Sequence, residues 1–126
     1  LYRNFPAVFA PQVREIFASL LGGQVPMVYN CSAGQDRTGF VTAMLLSALG
    51  VPREVILEDY HLSTTYRRPE YEMPRIDPVA HAANPVALFF ATYQSDPGHA
   101  QPTPLRAPGG ESLLSYAFEA IEERWG

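Results

Sequence analysis

The residues with chemical capacity gather in VYNCSAGQDRTGF, residues 28–40, where the only cysteine of the chain, Cys31, is followed by Arg37 and then Thr38. Between them lie the small residues Ser32, Ala33 and Gly34, then Gln35 and Asp36. A loop of this make-up between a strand and a helix turns successive backbone N–H groups into one concavity, where the helix dipole adds to their pull on an anion. A thiol at the bottom of such a ring loses its proton near neutrality and becomes a nucleophile. Arg37 can fold back over the same centre and hold two phosphate oxygens with its planar fork. Thiolate, amide ring and guanidinium are thereby brought to one phosphorus atom.

Each of these residues also has a plainer reading. A lone cysteine is ordinarily a small buried hydrophobe, and Asp36 is well placed to cap the helix that follows. Asp77 and Asp96 are competing acids, although RIDP and SDPG read as turns. Glu58 and Asp59 could orient Arg37, but a solvated helix face is the default. Arg67 and Arg68 could recruit an acidic or phosphorylated partner, and more commonly such a pair lies in solvent. Tyr66 or Tyr71 could line a cleft for an aromatic phosphoester. His61, His81 and His99 show no short paired spacing with Cys31, so no metal site is expected.

The loop needs a strand before it and a helix after it. Phe9, Val13, Ile16, Phe17, Leu20 and Leu21 recur at helical spacing, predicting an amphipathic helix over about residues 8–21 that stops at Gly22-Gly23. Residues 25–29, VPMVY, read as a short buried strand, with Pro26 near its start. A second helix is expected from Thr38 or Gly39 to about Leu49, apolar on most sides and therefore central. Pro52 opens a third, through REVILEDYHLS. The proline-rich stretch of residues 67–85 supports short helical pieces at most, VALFFATY is apolar enough to pack, and residues 95–110 read as a long surface loop. The last segment, ESLLSYAFEAIEERW, places Leu114, Ala117, Phe118, Ile121 and Trp125 on one helical face. This order argues for an α/β or α+β domain.

Composition is that of a globular protein: 126 residues, 47% hydrophobic and 17% charged, with a net charge of -4. That balance gives no support for a nucleic-acid partner or for stable membrane insertion. All nine basic residues are arginine, each a planar fork suited to carboxylate or phosphate. One cysteine allows no internal disulfide. A reduced thiol suits a cytoplasmic setting and leaves a secreted one open. Oligomeric state is not indicated.

With the loop, LLSALGV and VILEDYHLS in hand, the chain resembles the bacterial tyrosine-protein phosphatases of the cysteine-dependent, C-x5-R superfamily. The likeness covers about residues 8–64, and from 66 onward it rests on the closing helix, EAIEERWG. It implies a single α/β phosphatase domain over residues 1–126, shortened at its amino end, with a central sheet mostly outside this stretch or short and flanked by helices. It further implies Cys31 as phosphorus nucleophile, Arg37 as ligand of substrate and transition-state oxygens, Asp36 as general acid and Thr38 as hydrogen-bond partner of the sulfur. Ser32, Ala33, Gly34, Gln35, Asp36 and Arg37 would form the phosphate-binding loop, with no cofactor and no metal.

Two positions depart from the family pattern. The histidine before the cysteine is Asn30, which implies a thiol less acidic than in relatives. The loop lysine is Gln35, which removes a rim cation and favours phosphotyrosine proteins or peptides over phosphoinositides. The expected function is phosphomonoester hydrolysis through a phosphocysteine. The alternative is a non-catalytic module, a pseudophosphatase that captures phosphorylated ligands. Sulfur transfer or arsenate reduction would also use a cysteine at an anion loop, but arsenate reduction normally recruits further thiols. A nucleotide P-loop is excluded because no lysine follows the glycines.

Overall fold

The computed structural model describes residues 1–67, 75–95 and 105–126. It divides into two compact units, Leu1–Ser63 with Pro104–Gly126 and, separately, Thr64–Thr103. Readings that fall on residues 68–74 and 96–104, including those of Arg68, Tyr71, Asp96 and His99, lie outside the described residues.

In the first unit a short 3-10 turn, Tyr2–Asn4, leads into α1 (Phe5–Val8) and α2 (Ala10–Leu21). The sequence pattern predicts one helix here, and Phe9 interrupts it. Pro11 lies in the first turn of α2 and has no N–H to donate to the Ala7 carbonyl, so the helical hydrogen-bond ladder cannot run unbroken from α1 into α2. The interruption leaves no backbone group of Phe9 unpaired: its N–H donates to the Phe5 carbonyl and its own carbonyl accepts from Val13 N, each at 2.9 Å.

α3 (Asp36–Ala48) follows the cysteine loop, starting two residues before the expected Thr38. It ends where Val51 N reaches back to Leu46 O and Gly50 N to Ser47 O, which pairs carbonyls the last turn would otherwise leave open. α4 (Arg53–Tyr66) comes next, and the boundary between the two units falls in its last turn. α5 (Pro85–Ser95) belongs to the second unit and α6 (Leu113–Trp125) to the first.

α3 is central, as its apolar composition predicts. Phe40, Val41 and Ala43 are buried among Tyr2, Phe5, Ile56, Tyr60, Leu105, Leu114, Ala117 and Phe118. α6 packs on the amino-terminal turn and α1. Arg3 extends that contact at the surface by pairing with Glu119 and Glu123, and Arg53 pairs with Glu122 at 2.6 Å while lying 4.5 Å above the Phe118 ring. Exposed ion pairs of this kind contribute about 0–1 kcal/mol each, so burial carries the unit. Trp125, expected on the inner face of α6, is instead 57% exposed with the Arg124 guanidinium over its ring. It is the last residue of α6.

The expected strand at residues 25–29 does not form. No strand occurs among the described residues, whose β pairing is a single bridge between Arg106 and Ser112. A strand exists only by pairing its N–H and C=O groups with a neighbour. Among the described residues none pairs with this segment, and Val25 and Val28 are left 65% and 91% exposed.

In the second unit, Asp77 is a turn former: its Oδ1 accepts from Val79 N at 2.8 Å. Asn84 caps α5 by accepting from Val86 N and Ala87 N. VALFFATY therefore becomes a capped helix, although Val86 and Phe89 remain largely exposed.

Leu114 has no exposed surface and belongs to the core shared by α3, α4 and α6. Leu114→Ala is expected to lower the unfolding free energy by about 2–5 kcal/mol, read as a fall in the urea midpoint.

Candidate active site

The cysteine loop is pinned at both ends to α3. The Tyr29 hydroxyl lies 2.8 Å from Thr42 Oγ1, and Thr42 in turn donates to the Thr38 carbonyl. Cys31 N donates to Thr38 Oγ1 at 3.0 Å, closing the loop across seven positions with a single hydroxyl. Asn30, the family's histidine position, turns its amide onto the Cys31 carbonyl at 3.1 Å.

Between these pins Gly34 has φ +68°, a left-handed conformation that a side chain would strain. The reversal brings the next amides round to face the sulfur. Burial by itself pushes the Cys31 thiol up. Against it act the Thr38 hydroxyl and the backbone N–H groups of Thr38, Gly34 and Gln35, and together they bring the thiol down to about 7. The Gln35 and Thr38 amides belong to the N-cap and first turn of α3 and have no partner within the helix, so the sulfur satisfies them while they stabilise its charge. Cys31 is therefore part-exposed, free and substantially ionised at neutral pH. The uncharged Asn30 does not prevent this.

Arg37, in the first turn of α3, reaches back across the loop and donates from Nη2 to Ser32 Oγ at 3.0 Å. Its guanidinium is exposed and lies on the loop side. Glu58 and Asp59 do not engage it; both are exposed on α4, in line with a solvated face. A cleft of about 90 Å³ beside the loop is lined in part by Gly34, Thr38, Gly39, Asp59, Tyr60 and Ser63.

Gln35 is placed differently from its expected position on the rim. It is only 2% exposed, the residue before the first turn of α3. What it presents to the sulfur is its backbone N–H, and its side chain is taken up by the protein.

Asp36 is partly exposed, and its Oδ1 accepts a hydrogen bond from the Tyr2 hydroxyl. Tyr2 is also hydrogen-bonded to Tyr60, hydroxyl to hydroxyl. Burial first, then the neighbouring Asp36 charge, pushes Tyr60 up to about 12, with the hydrogen bond between the two phenols acting against them. Burial and the hydrogen bond to Asp36 push Tyr2 higher still. Both phenols thus keep their protons, and Tyr2 is the donor. Neither was expected at the site. Tyr60 stands inside the EDYHLS segment that carries the family likeness, so it had a signal; Tyr2, 34 positions from Asp36, had none.

His61 is engaged elsewhere, 2.9 Å from the buried Ser112 hydroxyl, with its pKa lowered by burial and by Arg106. Among the described residues no three His, Cys, Asp or Glu side chains are grouped to hold a metal ion. None of the described helices is long and apolar enough to cross a membrane.

A thiolate-stabilising loop at the start of a buried helix, with an arginine folded over it, is the arrangement that defines cysteine-dependent phosphatases. The chain belongs to the tyrosine phosphatase family, which it matches over residues 1–126. A triple specificity protein phosphatase of Mycobacterium tuberculosis is 43% identical over 61 residues, 47% of this chain and 22% of that protein. A Cupriavidus necator protein, provisionally named a tyrosine-protein phosphatase, is 34% identical over the whole chain and 40% of its own length. A tyrosine-protein phosphatase of Nostoc commune is 35% identical over 60% of the chain and 26% of its own length. The chain therefore spans well under half the length of each of these relatives. No solved structure gives a significant match. Family membership implies a phosphatase fold, of which the described residues supply helices and the loop.

Alkylation of Cys31 by iodoacetamide is expected to rise with pH through a midpoint of about 7, since the thiolate is the reactive form above its pKa. Thr38→Ala removes the hydroxyl that donates to the sulfur, and should move that midpoint up toward the ordinary thiol value of about 8.5. The pH dependence of the alkylation rate measures both.

Proposed function

We propose that this chain carries the phosphoryl-transfer centre of a protein tyrosine phosphatase. The observation that carries the reading is the thiol brought to about 7 by the Thr38 hydroxyl and the amides of Thr38, Gly34 and Gln35. A pocket that only captured phosphate would have no use for an ionised sulfur at its base. That weighs against the pseudophosphatase alternative.

In the first step the Cys31 thiolate attacks phosphorus in line, forming the S–P bond as the P–O bond to the tyrosine breaks. The amides from Ser32 to Arg37, with the Arg37 fork, hold the three equatorial oxygens. Asp36 gives its proton to the departing phenolate. In the second step the Asp36 carboxylate takes a proton from water as that water attacks phosphorus. The S–P bond breaks, phosphate leaves, and the hydrogen bond from Thr38 eases departure of the thiolate. Charge is balanced throughout by the loop and Arg37.

The substrate class is phosphotyrosine in a protein or peptide. The family supports it, as does the absence of a lysine from the loop, which withholds the extra cation that more highly charged inositol lipids would favour.

Cys31→Ser is expected to abolish aryl phosphate hydrolysis while retaining affinity for phosphate or vanadate. Rapid quench of the unaltered chain should trap a phosphocysteine. Arg37→Lys should lose at least about 10²-fold in kcat/KM, because a point charge cannot reproduce a two-point contact. Turnover by Cys31→Ser equal to that of the unaltered chain would overturn the covalent mechanism.

A further inference from the structure

Two tyrosines sit in a core otherwise built of aliphatic and phenylalanine side chains. Tyr2 and Tyr60 are 5% and 4% exposed, and phenylalanine in either place would fill nearly the same volume with no hydroxyl to satisfy. Burying a hydroxyl is costly unless it is hydrogen-bonded, and here the two satisfy each other. The chain they form does not close on itself. It runs from Tyr60 to Tyr2 and ends on Asp36 Oδ1, at the junction of the cysteine loop and α3.

An independent feature brings these groups together. A Cβ at Gly39, one turn beyond Asp36, would lie 2.8 Å from both Cδ2 and Cε2 of Tyr60. Glycine there lets the Tyr60 ring close onto the first turns of α3. On its other side Tyr2 is held by Phe5, at 4.7 Å between ring centroids, and meets Tyr60 edge-on at 6.3 Å. The phenol that reaches Asp36 is thus fixed on two sides by packing.

A carboxyl group that must deliver a proton to a leaving oxygen gains from being held in one orientation, since small misplacements of a catalytic group cost large factors in rate. A lone aspartate at the first position of a helix has no such restraint. We infer that Tyr2, supported by Tyr60, is a positioning residue for phosphoryl transfer: its hydroxyl anchors Oδ1 of Asp36 and leaves Oδ2 to carry the proton. The inference rests on the reading of Asp36 as general acid. It adds that the acid is set by a phenol pair from the core, brought in by the amino-terminal turn and α4.

The test is a series of aryl phosphates from dinitrophenyl to unsubstituted phenyl, with kcat/KM measured for the unaltered chain, Tyr2→Phe, Tyr60→Phe, Asp36→Asn and the Tyr2→Phe/Asp36→Asn pair. Leaving groups that depart unaided need no acid, so loss of a proton donor is felt most by phenyl phosphate. Asp36→Asn should lose about 10²–10⁴-fold on phenyl phosphate, and progressively less as the phenol becomes more acidic. Tyr2→Phe should show the same trend with about a 10-fold loss on phenyl phosphate, and Tyr60→Phe a smaller one. In the Asp36→Asn background, Tyr2→Phe should add no further loss. A Tyr2→Phe loss equal across the series would show a merely structural role and overturn the proposal, as would no loss. If Asp36→Asn itself leaves the trend unaltered, the acid is another group and the proposal falls with that reading. Should Tyr2→Phe fail to fold by urea titration, Tyr60→Phe decides alone: a loss graded with leaving-group basicity supports the chain, and an even loss or none overturns it.

Discussion

The negative charge that Cys31 can carry near neutral pH is held by neutral donors. One comes from the Thr38 side chain and the others from backbone at the mouth of α3. Such donors work only if their directions are fixed in advance, because a hydrogen bond loses its strength when misaligned. Most of the first unit can be read as a way of fixing them. Phe40, Val41 and Ala43 seat α3 in the core, Thr42 ties Tyr29 to the helix, and Thr38 ties the two ends of the loop to each other. The core and the thiolate are therefore one problem: a helix that slid by a fraction of a turn would lose several donors together.

The same hydroxyl serves two sides of that problem. Thr38 Oγ1 accepts the Cys31 N–H and donates to the Cys31 sulfur, so the oxygen that shapes the loop also lowers the thiol. A serine offers the same hydroxyl but lacks the methyl group that restricts χ1. Arg37 adds a guanidinium at the loop, and its contact with Ser32 keeps the fork folded toward the anion site.

What the sequence made legible was local. Cys31, Arg37 and Thr38 lie within eight residues of one another, and their spacing brought them to one centre; α3 was legible from its apolar run, α4 from Pro52 at its start, and α6 from the apolar face of its pattern. What it hid depended on neighbours. VPMVY has a strand's composition, but composition cannot supply the partner a strand requires, and Val28 stands almost fully exposed. Phe9 fits the helical period while Pro11 breaks the backbone beneath it. Gln35 reads as a surface residue in a polar loop, yet its place before α3 buries it. The meeting of Tyr2 with Asp36 spans 34 positions, and no pattern within a single segment could announce it.

The contact between Gly39 and the Tyr60 ring has a consequence for how this chain can vary. The two positions share one volume: with the ring at 60, even a methyl group at 39 has nowhere to go. A lineage that acquired alanine at 39 would need to shrink residue 60 as well, and would surrender the hydroxyl that reaches Tyr2. Drift at either site is thereby locked to the other, and a change tolerated in the helix that begins at the loop must be answered on the helix that follows it.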